Sequence, residues 1–210
     1  MNSMKKNIIT ILILIFLSSI AIGMGEPPKE PVVKPRTKNQ KQELLITLQY
    51  LNQIRKNPSN YSKPIGVDLS GVKSQPALRW NEKLARSAQK KAEDMAQNNY
   101  FDHVSPRGIG ANYLAHQEGY VLPEFWKAAT EKSANYIESI SAGLVRGVLH
   151  IDNLIKDEGT NPPGHRIHLL GMKTFYAEHT NIGIGFAYNP RSTYQYYFVI
   201  HTAPPEGKTY

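Results

Sequence analysis

From Asn39 to Asn57 apolar residues recur three or four apart, at Leu44, Leu48, Leu51 and Ile54, and the Asn57-Pro58 pair supplies a stop. That spacing predicts an amphipathic helix. A second stripe is longer: Leu84, Ala85, Ala88, Ala92, Met95 and Ala96 share one side while Lys83, Lys90, Glu93 and Gln97 face away, with Asn81 placed to cap. A third helical pattern covers Leu144 to Asp157, through Val145, Val148, Leu149, Ile151, Leu154 and Ile155, and Gly159 reads as its terminator. Towards the C-terminus the period changes. "NIGIGFAY" alternates glycine with larger apolar residues and "TYQYYFVIHTA" is β-branched and aromatic, which predicts two strands joined at Asn189-Pro190 as an antiparallel hairpin. Gly183 and Gly185 read as strand glycines that allow another backbone to come close, since no predicted helix follows to make them a phosphate loop. Helices first and strands last predict an α+β or layered sandwich, not a βαβ wheel.

The N-terminus has a different texture. Lys5 and Lys6 precede an uncharged apolar run from Ile8 to Ile22, with the small residues Ala21 and Gly23 at its end. This is the layout of a secretory signal over 1–23, cleaved after Gly23. The run of about 15 apolar residues is short for a membrane span, which needs about 20, so the expectation is export with no stable span after cleavage. Residues 24–40 are polar and proline-spaced and read as an extended linker. The folded domain is expected over 41–205, with a short tail at 206–210.

Composition narrows the function. A chain of 210 residues fits one domain of ordinary size. The net charge is +8, but much of the basic excess sits near the N-terminus, in Lys5, Lys6, Lys29, Lys34, Arg36, Lys38 and Lys41, on a segment rich in proline. That argues against nucleic acid and for a solvated segment drawn to anionic cell-surface polymers. The absence of cysteine excludes a disulfide framework, a thiolate metal site, a cysteine nucleophile and an acylated-cysteine anchor.

Two loops carry the candidate chemistry. In "NNYFDHVSPRG" His103 falls just beyond the second helix; in "KDEGTNPPGHRIHLL" Asp157 and Glu158 end the third helix, and His165 follows a Pro-Pro-Gly turn. Two loop histidines with nearby carboxylates suit a borderline divalent cation such as zinc, but no H-E-x-x-H helix is present, and on pattern alone the favoured reading is that each histidine caps or hydrogen-bonds a turn. Ser105 lacks a G-x-S-x-G elbow and reads as a turn residue. Arg166 is expected to bond a carboxylate, with an anion as the other reading.

Four segments in order resemble the CAP superfamily, the secreted cysteine-rich, antigen 5 and pathogenesis-related type with its SCP domain, and in particular its cysteine-free bacterial branch. They are "ALRWNEKLARSAQKKAEDMAQNNYFDHVSPRG", "YIESISAG", "LIKDEGTNPPGHRIHLL", and the closing pair "NIGIGFAY" and "YQYYFVIHTA". The resemblance implies an α+β fold, a three-layer α/β/α sandwich with a central antiparallel sheet, and a cleft holding two histidines and two acids. Carried over by position, these are His103, Glu138, His165 and a second acid. Asp157 is favoured for that place, with Asp152 and Glu158 as alternatives, and Ser139 stands where an asparagine is usual, loosening the bonding around Glu138. The function implied is an exported, non-enzymatic binding or effector protein at the cell envelope or outside the cell, with a lipid, glycan or protein as partner. The alternative is a peptidase-like hydrolase that holds Zn2+ or another divalent cation on His103 and His165 and uses Glu138 or Asp157 as base. The segment "AHQEGYVLPEFWKAAT" reads as a cover over the core, or as a mobile sterol-binding loop through Tyr120, Val121, Leu122, Phe125 and Trp126.

Overall fold

The structure, a computed structural model, describes residues 38–208, so the expected signal at 1–23 and most of the linker lie outside the described residues. In chain order the elements are α1 (Lys38–Lys56), α2 (Ser62–Ile65), β1 (Arg79–Trp80), α3 (Glu82–Asn98), α4 (Ala111–Gln117), β2 (Glu138–Ala142), α5 (Gly147–Lys156), α6 (Gly164–Leu169), α7 (Thr174–Ala177), β3 (Asn181–Tyr188) and β4 (Tyr196–Ala203). The strands form one sheet in the order β1-β3-β4-β2. The β3-β4 hairpin and the β4-β2 pair are antiparallel, as expected; β1 runs parallel to β3 over its two residues, so the sheet is antiparallel except at that edge.

Strand alternation sorts the core into two layers. Ile182, Ile184, Phe198 and Ile200 point to one face and pack with Leu44, Leu48, Leu51 and Ile54 of α1 and Ile151, Leu154 and Ile155 of α5. Ala187, Tyr197 and Val199 point to the other and pack with Ala88, Ala92, Met95 and Ala96 of α3. Helices therefore cover both faces, which gives the α/β/α sandwich. A third cluster joins Leu84 and Ala203 to α4 and to Tyr120, Leu122 and Trp126. Those three side chains are buried while Val121 and Phe125 are exposed, so the 115–130 segment serves mainly as a cover.

The two strand glycines set how closely α3 lies on the sheet. A Cβ on Gly183 would fall 2.0 Å from the Ala85 nitrogen, and one on Gly185 would fall 2.3 Å from the Ala88 carbonyl carbon. Both contacts are with backbone that cannot swing aside. Asn81 caps α3 as predicted, its side chain accepting from the amides of Lys83 and Leu84.

The third helix departs from its apolar pattern at both ends. It starts at Gly147, not Leu144, because the Leu144 carbonyl is engaged by the His150 ring at 2.8 Å. It stops at Asp157, which takes the left-handed conformation (φ 49°), two residues before Gly159. The Asp157 carboxylate is held by the following helix, and that contact fixes the turn.

On the α5–α6 side of the sheet the polar strand residues are matched to buried histidines. His150 meets Ser141 Oγ at 2.8 Å and stacks on Phe198; His168 meets Ser139 Oγ and Thr202 Oγ1, each at 2.6 Å; His179 meets Thr202 Oγ1 at 2.8 Å. Burial disfavours their charged forms, lowering His150 to about 4 and His179 to about 3, and His168 well below the usual range.

This packing can be tested at both kinds of contact. Gly185→Val should destabilise the fold by about 3 kcal/mol, the upper range for overpacking against fixed backbone, read as a lowered urea midpoint at unchanged slope. The three histidines stay neutral in the fold but take up protons in the unfolded chain below about pH 6.5. Their folded values are depressed, so the stability they carry is present above about pH 6.5 and is lost as pH falls towards their folded values. At three protons and about 1.4 kcal/mol per proton per pH unit, the slope reaches about 4 kcal/mol per unit. Urea unfolding measured from pH 7 to 4 should show that slope, and His150→Gln should make it shallower.

Candidate functional site

His103 is placed by its backbone. The chain leaves α3 through Asn99 in the left-handed conformation (φ 51°) and doubles back. Lys91 on α3, almost wholly buried, then reaches across and donates to the His103 carbonyl at 2.9 Å, with its ammonium 4.9 Å from the Tyr100 ring centre. Burial lowers the Lys91 pKa while the carboxylates of Glu138, Asp94 and Asp102 oppose that shift. Asp102 accepts from the Val104 amide, and Ser105 Oγ accepts from the amides of Arg107 and Ile109. The Ser105 hydroxyl is thereby committed to closing its own turn.

Glu138 starts β2 directly opposite His201 of β4. Its Oε1 accepts from His103 Nδ1 at 2.8 Å and its Oε2 accepts from His201 Nε2 at 2.9 Å, while His201 Nδ1 meets Ser87 Oγ at 2.7 Å. Burial alone would raise the Glu138 pKa. The hydrogen bonds from both histidines and the positive charges of His201 and Lys91 outweigh it and hold the carboxyl at about 2. The expected loosening by Ser139 is not found, because strand alternation sends Ser139 to the opposite face, against His168.

The second pair is local. Asp157 Oδ2 accepts from the His165 amide at 2.9 Å and Oδ1 accepts from His165 Nδ1 at 2.8 Å, so one carboxylate both fastens the start of α6 and aims the ring. The other two acids are placed elsewhere. Asp152 turns to α1, where the Tyr50 hydroxyl donates to it at 2.6 Å, and Glu158 lies exposed beside Lys156 at 3.0 Å. Arg166 bonds the carbonyls of Ile155 and Lys156 at the end of α5, not a carboxylate.

The structure therefore brings together His103, Glu138, Asp157 and His165. The ring centres of the two histidines are 6.4 Å apart. Their side chains are 39% and 30% exposed, whereas those of Glu138 and Asp157 are 0% and 4% exposed. Imidazoles face the cleft and acids stand behind them, each bound to a Nδ1–H, which leaves Nε2 as the outward nitrogen of each ring. A carboxylate that fixes the tautomer of a histidine is the usual support of an imidazole ligand. A structural zinc takes four protein ligands, and among the described residues no group of three or more His, Cys, Asp or Glu side chains converges in that way. Two imidazoles so supported could serve as two ligands to a cation, any others coming from water or a bound molecule.

The sequence pattern does not single out His201, Ser87 or Lys91. The alternation in "YYFVIHTA" assigns His201 to the face of Tyr197 and Val199, but only the β2–β4 register places Glu138 beside it.

The cleft continues past His165 as a pocket of about 260 Å³ lined by Phe101, Ile140, Ala142, Asn153 and Tyr194 among others. A second pocket, about 510 Å³, lies in the 116–130 segment and shares no residue with it.

Comparison with known proteins places this chain in a family. A Bacillus subtilis (strain 168) protein, described as an uncharacterized membrane protein YlbC, is 32% identical over 108 residues. That match covers 51% of this chain, and the chain spans about a quarter (25%) of that relative's length. Among solved structures, an extracellular protein containing a SCP domain from Bacillus anthracis str. Ames aligns at 18% identity and TM-score 0.47, over 81% of this chain and 45% of that one. An outer surface protein from Borrelia burgdorferi aligns at 15% identity and TM-score 0.49, over 79% of this chain and 95% of that one. The profile of the cysteine-rich secretory protein family, CAP, matches residues 48–202, from within α1 to within β4. The chain, although it has no cysteine, belongs to the CAP family.

Proposed function

We propose that this protein is an exported, non-enzymatic binding domain acting at the cell envelope or outside the cell, and that its ligand is held between His103 and His165 with a divalent cation such as zinc as the bridge. Export rests on the signal-like sequence at 1–23. Among the described residues no helix is long and apolar enough to cross a membrane. The observation that carries the reading is the pairing of each cleft imidazole, through Nδ1, with a carboxylate that is itself buried. When bound, the cation would supply a positive centre for an oxygen or nitrogen of the ligand. The chain's own part is to hold a proton of each ring at Nδ1, against its carboxylate, and to keep the ring correctly turned.

The same pairing weighs against hydrolysis. A hydrolase on this cleft needs Glu138 or Asp157 to take a proton from water. Both oxygens of Glu138 accept from histidines, and both oxygens of Asp157 accept from His165. Each carboxylate is also buried behind its ring, so water would reach it only if the ring it orients moved aside.

Calorimetric titration of the purified protein with zinc should give saturable heat that disappears in His103→Ala/His165→Ala. Glu138→Gln and Asp157→Asn should each weaken zinc about 10- to 100-fold, the range for losing a carboxylate that supports a ligand histidine. Turnover of peptide, ester or glycan substrates that is abolished by His103→Ala would overturn the binding-domain reading in favour of the hydrolase.

A further inference from the structure

β2 is the last strand of the sheet and pairs on one side only, with β4. In an antiparallel ladder, residues alternate between those whose backbone groups bond the neighbour and those whose groups point away. The Thr202 amide donates to the Ile137 carbonyl at 2.8 Å and the Gly143 amide donates to the Tyr196 carbonyl at 2.9 Å. Residues 137, 139, 141 and 143 therefore face β4, and the backbone groups of Glu138, Ile140 and Ala142 face outward. The Glu138 amide is taken by the Asn135 side chain at 3.0 Å. The amides and carbonyls of Ile140 and Ala142 have no such partner among the described residues.

Sheet edges of this kind are usually blunted by lysine, proline or a bulge. The β2 sequence, Glu-Ser-Ile-Ser-Ala, uses none of these devices. It is flanked instead. Phe101 and Tyr194 stand on one side as an aromatic pair with ring centres 5.4 Å apart, and the two residues are 39% and 45% exposed. Asn153, Leu154 and His165 line the same pocket of about 260 Å³, as do Ile140 and Ala142 of the edge itself. The flanking side chains keep a second sheet away from the edge; Ala142 is partly exposed, and buried Ile140 is reached through the pocket that both residues line.

We propose that an extended peptide is the ligand, added to the sheet as a strand along Ile140–Ala142 with an apolar or aromatic side chain on Phe101 and Tyr194. Backbone pairing supplies the affinity and the aromatic wall the side-chain preference. Two alternate residues of the peptide would each exchange an amide and a carbonyl bond with Ile140 and Ala142, and the residue between them would not. The chain then runs on beside His165. This deepens the binding-domain reading and rests on it for the cleft being the ligand's place.

The test uses the blocked pentapeptide acetyl-Thr-Val-Phe-Val-Thr-amide, whose β-branched residues favour extension. Amide hydrogen exchange of the full protein should slow at Ile140 and Ala142 when peptide is added. N-methylation at alternate peptide positions should weaken binding about tenfold, through loss of a backbone bond and added bulk, with little change at the positions between. Ala142→Pro removes only an outward amide and should also abolish the protection at Ile140 while leaving the zinc heat intact. Should that variant fail to fold, the N-methyl series on the unaltered protein decides the matter. Unchanged exchange at Ile140 and Ala142 with millimolar peptide, or equal sensitivity to N-methylation at every position, would overturn the proposal. Absent peptide protection with normal zinc binding sinks this inference alone; alternating peptide binding with no zinc heat sinks the imidazole-cation reading alone.

Discussion

One carboxylate, Glu138, ties the cleft to the sheet. It sits on an edge strand with no solvent-exposed atom of its side chain, and it is bonded on one oxygen by a loop histidine and on the other by a core histidine. A buried carboxylate is unfavourable unless its charge is answered, and both bonds are charge-assisted. Through His201 the load passes to Ser87 on α3; through His103 it passes to the loop that Lys91 holds from the same helix. Strand, loop and helix are thus registered to one another by a single ionised group.

What lets α3 take part is how close it lies. With glycine at 183 and 185, the helix backbone rests on the strand backbone, so side chains as short as Ser87 reach the sheet residues opposite. The other face is built differently. There the strands present Ser139, Ser141 and Thr202, and α5, α6 and the loop after α7 answer with His150, His168 and His179. These are neutral hydrogen-bonded pairs, in contrast to the ionised Glu138 on the α3 side.

Much of this was legible in the sequence. The stripes at Leu44 and Leu84, the Asn81 cap and the C-terminal hairpin are local signals, and local signals survive folding. His103 and His165 stood out because loop histidines beside helix ends are conspicuous. Glu138 came only from family likeness, since nothing in "YIESISAG" separates a core carboxylate from a solvated one. The choice among Asp152, Asp157 and Glu158 depended on a single helix turn, and Tyr50, about a hundred residues away, is what draws Asp152 off. His201 depended on register across the sheet, a property of two strands that neither carries alone. The late start of α5 was hidden for the same reason: the His150 ring competes for a carbonyl that periodicity assigns to the helix.

Binding sites commonly carry strain or unanswered charge, and so tend to gain stability when disabled. The Asp157 arrangement points the other way. Its two oxygens are satisfied within the protein, one by the backbone that begins α6 and one by the ring that faces the cleft. Discarding this residue would bring the fold no added firmness and would loosen the start of α6. Selection for a sound fold alone is then enough to keep Asp157, the carboxylate that aims the His165 ring.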